Sequence, residues 1–512
     1  MHKRWLMVVP LFLGLFLWTG QLEGEGKRGQ NDANRPAPPH IEPERAAMFA
    51  NQLVEAAQII AANYYQEISE NRLLVKAVAA LYDACNQPVP TELKEQGEAA
   101  LKGRDARMHI KQWRLDLGLP PALRDQRDMK IALRAMVDLL DPYTVYLSDL
   151  SETMPTSISM GVRVGIHLEE RPKAGGPWIV RQVDLDSPAE KAGLRPGDKL
   201  LRVNQALPLP GIRSRQFQEE LNGPIDTTVT LEVLSLDDKQ PRTVQVKRFL
   251  ADRYWSVLGF RRVDDDYDYW LDRPNKIALI RVQELHTGAD FEMERILSFL
   301  QSEGLRGLIL DLRDCPGGGL SEATYIAGMF LPANLSVAEI RSGPNQTVLN
   351  NERFLSRSRS KEQLLTNFPM AVLIGPDTIG GGELIAAALK DHQRATLFGE
   401  RTHGKGTVQK PFTLISHPMG QESVRLTSGL IYRPSGKPLQ KQLKEQTLGD
   451  WGVAPAPEQE IRVPLSLRRQ IRAWWLQRDQ RPSDSNAMLP LDKLDNDPVL
   501  HWALQWMQQK LR

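Results

Sequence analysis

The alternation of apolar strands and amphipathic helices after Lys276 constrains the fold of this chain most. Residues 307–312 form an almost unbroken apolar run, which is typical of a strand buried on both faces of a sheet. Strand-type and helix-type runs alternate at 277–282, 291–303, 307–312, 322–330, 370–374 and 383–390. Because strands joined by helices usually pair in parallel, this order predicts an α/β core with a largely parallel sheet.

The residues before this core predict two further structured regions. Apolar residues spaced by three and four predict helices from Phe49 to Tyr64, from Leu74 to Leu81 and from Met129 to Leu140. Residues 86–126 are polar and predict an irregular connection. Short apolar runs separated by turn residues then predict a small β-rich domain. Its predicted strands are 162–168, 178–183, 199–203 and 229–234, with a short helix at 216–221.

The N-terminus has the form of an export signal. His2, Lys3 and Arg4 precede an apolar run at residues 5–18, which is short for a stable transmembrane span. A cleaved signal and a retained inner-membrane anchor are both open. Either one predicts an exported protein of the periplasm or cell envelope, with no other contact to the membrane.

The C-terminal residues 464–512 predict two helices that pack on the core. Their large apolar side chains are expected at that contact: Trp474, Trp475, Leu500, Trp502, Leu504, Trp506 and Met507.

These patterns together predict a multidomain α+β protein. We expect a signal or anchor at 1–20, a linker at 21–44, a helical domain at 45–157, an inserted β-rich domain at 158–250, an α/β core at 251–463 and a helical tail at 464–512.

Charge and cysteine content exclude several classes of function. The formal net charge of +2 does not favour nucleic acid or an anionic membrane as the main partner. Cys85 and Cys315 lie far apart without a neighbouring Cys/His cluster, so neither a zinc site nor a disulfide framework is expected. No metal and no cofactor is predicted.

Residues 187–204 of the β-rich domain resemble the signature of PDZ domains. The segment runs from Ser187-Pro-Ala-Glu-Lys-Ala-Gly193 through Pro196-Gly197-Asp198 to Asn204. A PDZ domain binds a peptide as an added strand and captures its terminal carboxylate on backbone N–H groups. The resemblance therefore implies that the partners are protein or peptide C-termini.

The resemblance assigns the peptide-binding loop and strand to Arg163, Val164, Gly165, Ile166 and His167. In the PDZ domains that this segment resembles, the position of Arg163 is commonly a glycine. Arg163 is expected either to pair with the peptide carboxylate or to obstruct the groove.

Several motifs over roughly residues 45–463 resemble the carboxy-terminal processing (tail-specific) serine proteases of peptidase family S41. They are Leu139-Leu-Asp141-Pro142-Tyr-Thr-Val-Tyr146, Gly307-Leu-Ile-Leu-Asp311-Leu-Arg313-Asp-Cys-Pro316-Gly317-Gly318, Thr402-His-Gly404-Lys405-Gly406-Thr-Val-Gln409 and Val424-Arg-Leu-Thr427. The resemblance implies a ClpP/crotonase-like core that cleaves peptides with a serine–lysine dyad. It also implies that Lys405 is the base, that Gln409 orients it, and that Gly317, Gly318 and Gly381 supply an oxyanion turn.

The nucleophile of that family is missing. The family has Ser-Ala-Ser-Ala-Ser-Glu where this chain has Thr378-Ile-Gly380-Gly-Gly-Glu383. Glu383 and the helix after it align without a gap, and Lys405 lies 25 positions after Gly380, which is the spacing expected from the family. Gly380 therefore occupies the position of the nucleophilic serine.

Two functions follow from this substitution. The first is a proteolytically inactive homologue that binds protein C-termini, with an active homologous protease as one conceivable partner. The second is an active C-terminal processing endopeptidase with another nucleophile, for which Thr378 is the obvious substitute and Ser416 or Ser428 a remoter one. A further open point is whether Cys315, where the family has asparagine, disturbs the oxyanion turn.

Overall fold

The computed structural model describes the greater part of the chain after residue 40. The described residues are 41–101, 105–148, 162–168, 177–183, 187–204, 221, 226–235, 238, 240–250, 256–263, 266–343, 352–357, 367–417, 420–441, 450–480 and 490–512. The predicted signal or anchor at 1–20 lies outside these residues, and so do residues 21–40 of the predicted linker. The helix predicted at 216–221 also lies outside them, apart from Leu221. Among the described residues, no helix is both long and apolar enough to cross a membrane.

The N-terminal region is helical. Its helices are α1 (Pro43–Asn63), α2 (Glu70–Ala84), α3 (Thr91–Gln96), α4 (Ala106–Asp116) and α5 (Arg127–Asp138). The spacing predicted for α1 is confirmed, since Phe49, Leu53, Ala57 and Ile60 are all buried in its core-facing stripe.

The prediction of an irregular connection at 86–126 is wrong. Helix α4 buries Ile110 and Trp113 and carries Arg114, whose guanidinium donates to the Asp128 carboxylate at 3.0 and 2.8 Å. Arg114 interrupts the apolar pattern of the sequence although its side chain is buried, because its partner Asp128 lies on another helix, α5. The apolar spacing within residues 86–126 therefore does not indicate the helix.

The β-rich region contains an antiparallel sheet that includes the predicted strands 178–183, 199–203 and 229–234, whereas the predicted strand 162–168 is divided in two and the strands at 242–247 and 249–250 were not predicted. The elements are β2 (Val162–Arg163), β3 (Ile166–Leu168), β4 (Trp178–Val183), α6 (Pro188–Lys191), β5 (Lys199–Val203), β6 (Thr228–Leu234), β7 (Arg242–Lys247) and β8 (Phe249–Leu250). The sheet order is β3-β4-β5-β6-β7, and β2 pairs with β8. Trp178 is buried at the centre of this region's hydrophobic core. In the order of the described strands, β3 lies at one edge of this sheet.

The core contains the predicted parallel sheet. Its elements are β9 (Val257–Leu258), β10 (Arg261–Val263), β11 (Asp266–Asp268), β12 (Trp270–Asp272), β13 (Ile277–Val282), α7 (Ala289–Ser302), β14 (Gly307–Asp311), α8 (Leu320–Gly328), β17 (Met370–Ile374), α9 (Gly381–Asp391) and β18 (Thr396–Gly399). Strands β13, β14, β17 and β18 are parallel neighbours. Their carboxyl ends place residues 282–286, 312–318 and 375–380 at one edge of the sheet, where ligands of such sheets bind.

A second, antiparallel sheet lies beside the first. Its strands are β1 (Val145–Ser148), β15 (Ser336–Ser342), β16 (Glu352–Leu355), β19 (Thr407–His417) and β20 (Gly420–Tyr432). Strand β20 pairs with β19 along one edge, and with β1 and β15 along the other. The pairing of β1 with β20 brings the segment after α5 against a strand almost 300 residues later.

The tail forms α10 (Leu465–Gln480) and α11 (Pro498–Leu511).

The parallel sheet is apolar throughout because alternate residues of β13 and β14 pack on opposite faces, one against the core helices and one against the tail. Ala278 and Leu308 belong to the core cluster that includes α7, α8 and α9, whereas Ile277 and Ile309 pack with the tail. The packing predicted for Trp475 is confirmed, but that of Trp502 is wrong, since it is 48% exposed on the outer face of α11.

Candidate functional site

Position 380 lies in a sharp turn between strand β17 and helix α9. Gly380 has φ 55° and ψ −110° and is the residue immediately before the helix. Residues with a side chain adopt this conformation only under strain, and hydrolases place a nucleophile on strand-to-helix turns of this kind. A Cβ added to Gly380 would meet only the Cα of Gly317, at 3.9 Å. The turn thus has room for a nucleophile but carries no side chain.

Glu383 joins this turn to the loop that carries Lys405. The buried carboxylate accepts hydrogen bonds from the N–H groups of Gly380 (3.0 Å), Gly404 (2.7 Å) and Lys405 (2.8 Å), and from the hydroxyl of Thr402 (2.6 Å). Burial raises the pKa of Glu383, and these four donors oppose that shift. In the sequence, Glu383 served only to fix the register of Gly380 against the family motif. Its donors are mostly backbone groups that the fold brings together, so no sequence signal marks this role.

Tyr143 contacts both Lys405, the predicted base, and Gln409, the residue predicted to orient it. The Nζ atom of Lys405 is 5.3 Å from the centroid of the Tyr143 ring. The side-chain amide of Gln409, on β19, donates to the Tyr143 carbonyl oxygen. The structure therefore brings Lys405 and Gln409 to the same residue, which sequence reasoning did not single out.

Asp141 holds Tyr143 in this place. Its buried carboxylate accepts from the Tyr143 N–H at 2.7 Å, from the Thr144 hydroxyl at 2.6 Å and from the Thr427 hydroxyl at 3.0 Å. Asp141 and Thr427 belong to two of the motifs quoted above. Their contact explains why motifs so far apart in sequence occur in one site.

The predicted oxyanion turn packs directly on position 380. A Cβ on Gly317 would lie 3.0 Å from the Ile379 carbonyl oxygen and 3.3 Å from the Gly381 nitrogen. The Ile379 N–H donates to the Cys315 carbonyl at 2.9 Å. On the other side, Leu285 donates to the Gly317 carbonyl at 2.9 Å and accepts from the Gly319 N–H at 2.8 Å. The turn is therefore held between Leu285 and the loop of Gly380.

The two glycines after Gly380 have crowded surroundings. A Cβ on Gly381 would lie 2.6 Å from Cδ1 of Leu285, and one on Gly382 would lie 3.1 Å from Sγ of Cys315. Gly381 is the first residue of α9, so its N–H belongs to the donors that a helix leaves without an internal acceptor. Cys315 thus fills space beside Gly382, and the turn around it remains formed. Burial raises the pKa of the Cys315 thiol to about 12, so the thiol is neutral.

The three hydroxyl groups considered as substitute nucleophiles, those of Thr378, Ser416 and Ser428, have other contacts or positions. Thr378 is fully buried, and its hydroxyl donates to the Leu312 carbonyl at 2.8 Å and accepts from the Gly375 N–H at 3.0 Å. Ser428 is buried and donates to the Leu426 carbonyl at 3.3 Å. Ser416 lies nine residues along β19 from Thr407, a span of roughly 30 Å at about 3.3 Å per residue. The geometry favours none of these three as a nucleophile beside Lys405.

The predicted peptide-binding segment lies at the edge of the β-rich sheet. The Val164 carbonyl accepts from the Ala189 N–H at 3.2 Å, and Gly165 separates β2 from β3. Ile166 is buried and begins the edge strand β3. The side chains of Arg163 and His167 lie outside what the structure describes, so the role expected for Arg163 stays a prediction.

Among the described residues, no group of three or more His, Cys, Asp or Glu side chains is arranged to hold a metal ion.

Comparisons with known proteins agree with the motifs. Residues 276–455 match the model of Peptidase family S41, and residues 179–234 match a PDZ domain model. The chain is 31% identical over 304 residues to the carboxyl-terminal-processing protease of Synechocystis sp., which covers 57% of this chain and 65% of that protein. It is 27% identical over 390 residues to the carboxy-terminal-processing protease of Bartonella bacilliformis, which covers 73% and 81%.

A solved structure shows the same fold. The photosystem II D1 C-terminal processing protease matches 85% of this chain and 98% of its own length, with a TM-score of 0.52 and 19% identity. The predicted fold class is thereby confirmed: a multidomain α+β chain with helical N-terminal and C-terminal regions.

Proposed function

We propose that this protein binds protein C-termini without cutting them. The premise is that the chain matches peptidase family S41 and a PDZ domain and is related to carboxyl-terminal processing proteases. One observation carries the proposal. Gly380 occupies the turn before α9 where the family has its nucleophile, and glycine has no group that can attack a carbonyl.

The surroundings of Gly380 support binding rather than general decay of the site. Glu383 still ties the Gly380 turn to the Lys405 loop, and Gly317 still packs on Gly380. A peptide that enters the site therefore meets backbone donors and a lysine, but no nucleophile. Loss of the nucleophile in a related catalytic machinery leaves only the small catalytic contribution of the oxyanion hole.

The edge strand β3 supports the peptide-binding half of the proposal. Ile166–Leu168 pairs with β4 and is the first strand in the order of the described sheet, which is the kind of position where PDZ domains add a peptide as a strand. The ligand is an apolar protein C-terminus, and an active homologous protease is one candidate partner. The protein is exported and acts in the periplasm or cell envelope, held there or released according to the fate of residues 5–18.

A peptide titration tests binding. The full chain is titrated with one apolar peptide in two forms, with a free and with an amidated C-terminus. We expect tighter binding of the free form, because only it offers a carboxylate to the loop at 163–166. Equal affinity for both forms would sink carboxylate capture.

A cleavage assay tests the absence of catalysis. An unfolded substrate with an apolar C-terminus is incubated with the wild-type chain and with Lys405→Ala, and its mass is followed. We expect the substrate to stay intact with both. Cleavage by the wild type that disappears in Lys405→Ala would establish the alternative, an active endopeptidase with another nucleophile. Thr378→Val would then show whether Thr378 supplies it.

A further inference from the structure

The tail helices lie beyond residue 455, where the match to family S41 ends. Arg472 of α10 nevertheless contacts the two loops that carry Gly317 and Gly380. The Nε atom of Arg472 donates to the Asp314 carboxylate at 2.8 Å, and its Nη2 donates to the Asp377 carboxylate at 2.9 Å. Arg472 is well covered, with 17% of its side chain exposed. One guanidinium therefore bonds two loops at once.

The two partners occupy equivalent places in those loops. Asp314 lies three residues before Gly317, and Asp377 lies three residues before Gly380. The same loops meet directly where the Ile379 N–H donates to the Cys315 carbonyl at 2.9 Å. Arg472 thus acts beside this backbone hydrogen bond between the oxyanion turn and the loop of position 380. A planar guanidinium suits such a bridge because its donors have fixed directions.

Helix α11 ties the turn from a second point. Arg313 donates to both oxygens of Asp497, each at 2.8 Å, and also to Asp311. Asp497 is fully buried and caps α11 by accepting from the Leu500 N–H at 3.2 Å. The residue before Asp314 is therefore fixed to the start of the last helix.

We propose that Arg472 is a positioning residue of the site, and that the tail clamps the oxyanion turn and the loop of Gly380 at a fixed separation. The clamp concerns the two loops themselves. It goes beyond the proposed function and holds whether the site cuts a peptide or only binds one.

Amide hydrogen exchange on the full chain tests the clamp without any activity. In Arg472→Ala we expect exchange to rise roughly tenfold at residues 315–318 and 378–382, with the Ile379 amide as reporter, because charge-assisted bonds to both loops are lost. Exchange in β13 and β14 should stay unchanged. The matched control is Arg261→Ala, which removes another ion pair between core and tail, 2.6 Å from Asp492, and touches neither loop.

A second pair of variants keeps the test decisive if Arg472→Ala folds poorly. Arg472→Lys retains the charge but cannot donate in two fixed directions, and Asp377→Asn weakens only one arm. Each should raise exchange at 378–382 by a smaller factor. Unchanged protection at both loops in all three variants, or an equal rise in Arg261→Ala, would overturn the clamp. A uniform rise across β13 and β14 would likewise reduce Arg472 to a general stabilising residue.

Discussion

The loop of Lys405 and the loop of Gly380 meet at one carboxylate but differ in what they have kept. The Lys405 loop retains the lysine and, through Tyr143, its contact with Gln409. The Gly380 loop donates a hydrogen bond to Glu383 but has no side chain from 380 to 382. The difference teaches that buried groups such as the Glu383 carboxylate hold this turn in place although position 380 carries no side chain.

Removal of Glu383 is the strongest way to break this comparison. Glu383→Ala leaves three N–H groups and the Thr402 hydroxyl without their acceptor, so we expect the free energy of unfolding to fall by about 3–5 kcal/mol. Denaturant unfolding measures it. Glu322→Ala removes an acidic residue from the first turn of α8 and should cost below about 1 kcal/mol. A loss no greater for Glu383→Ala than for Glu322→Ala would contradict the role of Glu383 as the common acceptor.

A methyl group at Gly381 tests the crowded part of the Gly380 loop. In Gly381→Ala the new Cβ would lie 2.6 Å from Leu285, which must move, so we expect a loss of about 2–3 kcal/mol. Gly375→Ala in the same loop is the control, because its Cβ would meet Arg313 only at 3.9 Å. It should change the unfolding free energy by less than about 0.5 kcal/mol. Similar losses in the two variants would show that the packing of Leu285 on Gly381 is unimportant.

A serine at position 380 tests the open part of the same loop. Gly380→Ser places a side chain at φ 55°, and we expect a loss of about 1–2 kcal/mol from backbone strain alone. Gly288→Ser introduces the same side chain at another positive-φ residue before a helix with open space around it; because Gly288 has ψ −5°, in the left-handed region, it should cost somewhat less. A much larger loss at position 380 than at 288 would mean that the pocket is closed to a side chain.

Comparison of the predicted with the observed elements separates what a single sequence indicates from what only the fold shows. The strands 277–282 and 370–374 were predicted to the residue, because a sheet covered on both faces leaves a continuous apolar run. The register that assigns Gly380 to the nucleophile position stays a prediction, which rests on the spacing of Gly380 to Glu383 and to Lys405. The roles of Glu383 and Tyr143 could not be predicted, because their partners lie on distant segments that only the fold brings together. Helix α4 was missed for the same reason, since Arg114 depends on Asp128 of another helix.

The tail shows the same limit. Arg472 lies in an arginine-rich stretch, which in sequence resembles a solvated helix face. Only the fold brings it to Asp314 and Asp377. The exposed Trp502 is the reverse case, because its apolar side chain predicted burial and the helix turns it outward.

Cleavage by Gly380→Ser tests the central claim most directly, because it supplies the hydroxyl that the proposed function holds to be missing. The variant and the wild type are incubated with the same unfolded substrate, and the products are identified by mass. We predict cleavage by Gly380→Ser, its loss in Gly380→Ser/Lys405→Ala, and an intact substrate with the wild type. Cleavage by the wild type would contradict the account, and so would a folded Gly380→Ser that leaves the substrate intact.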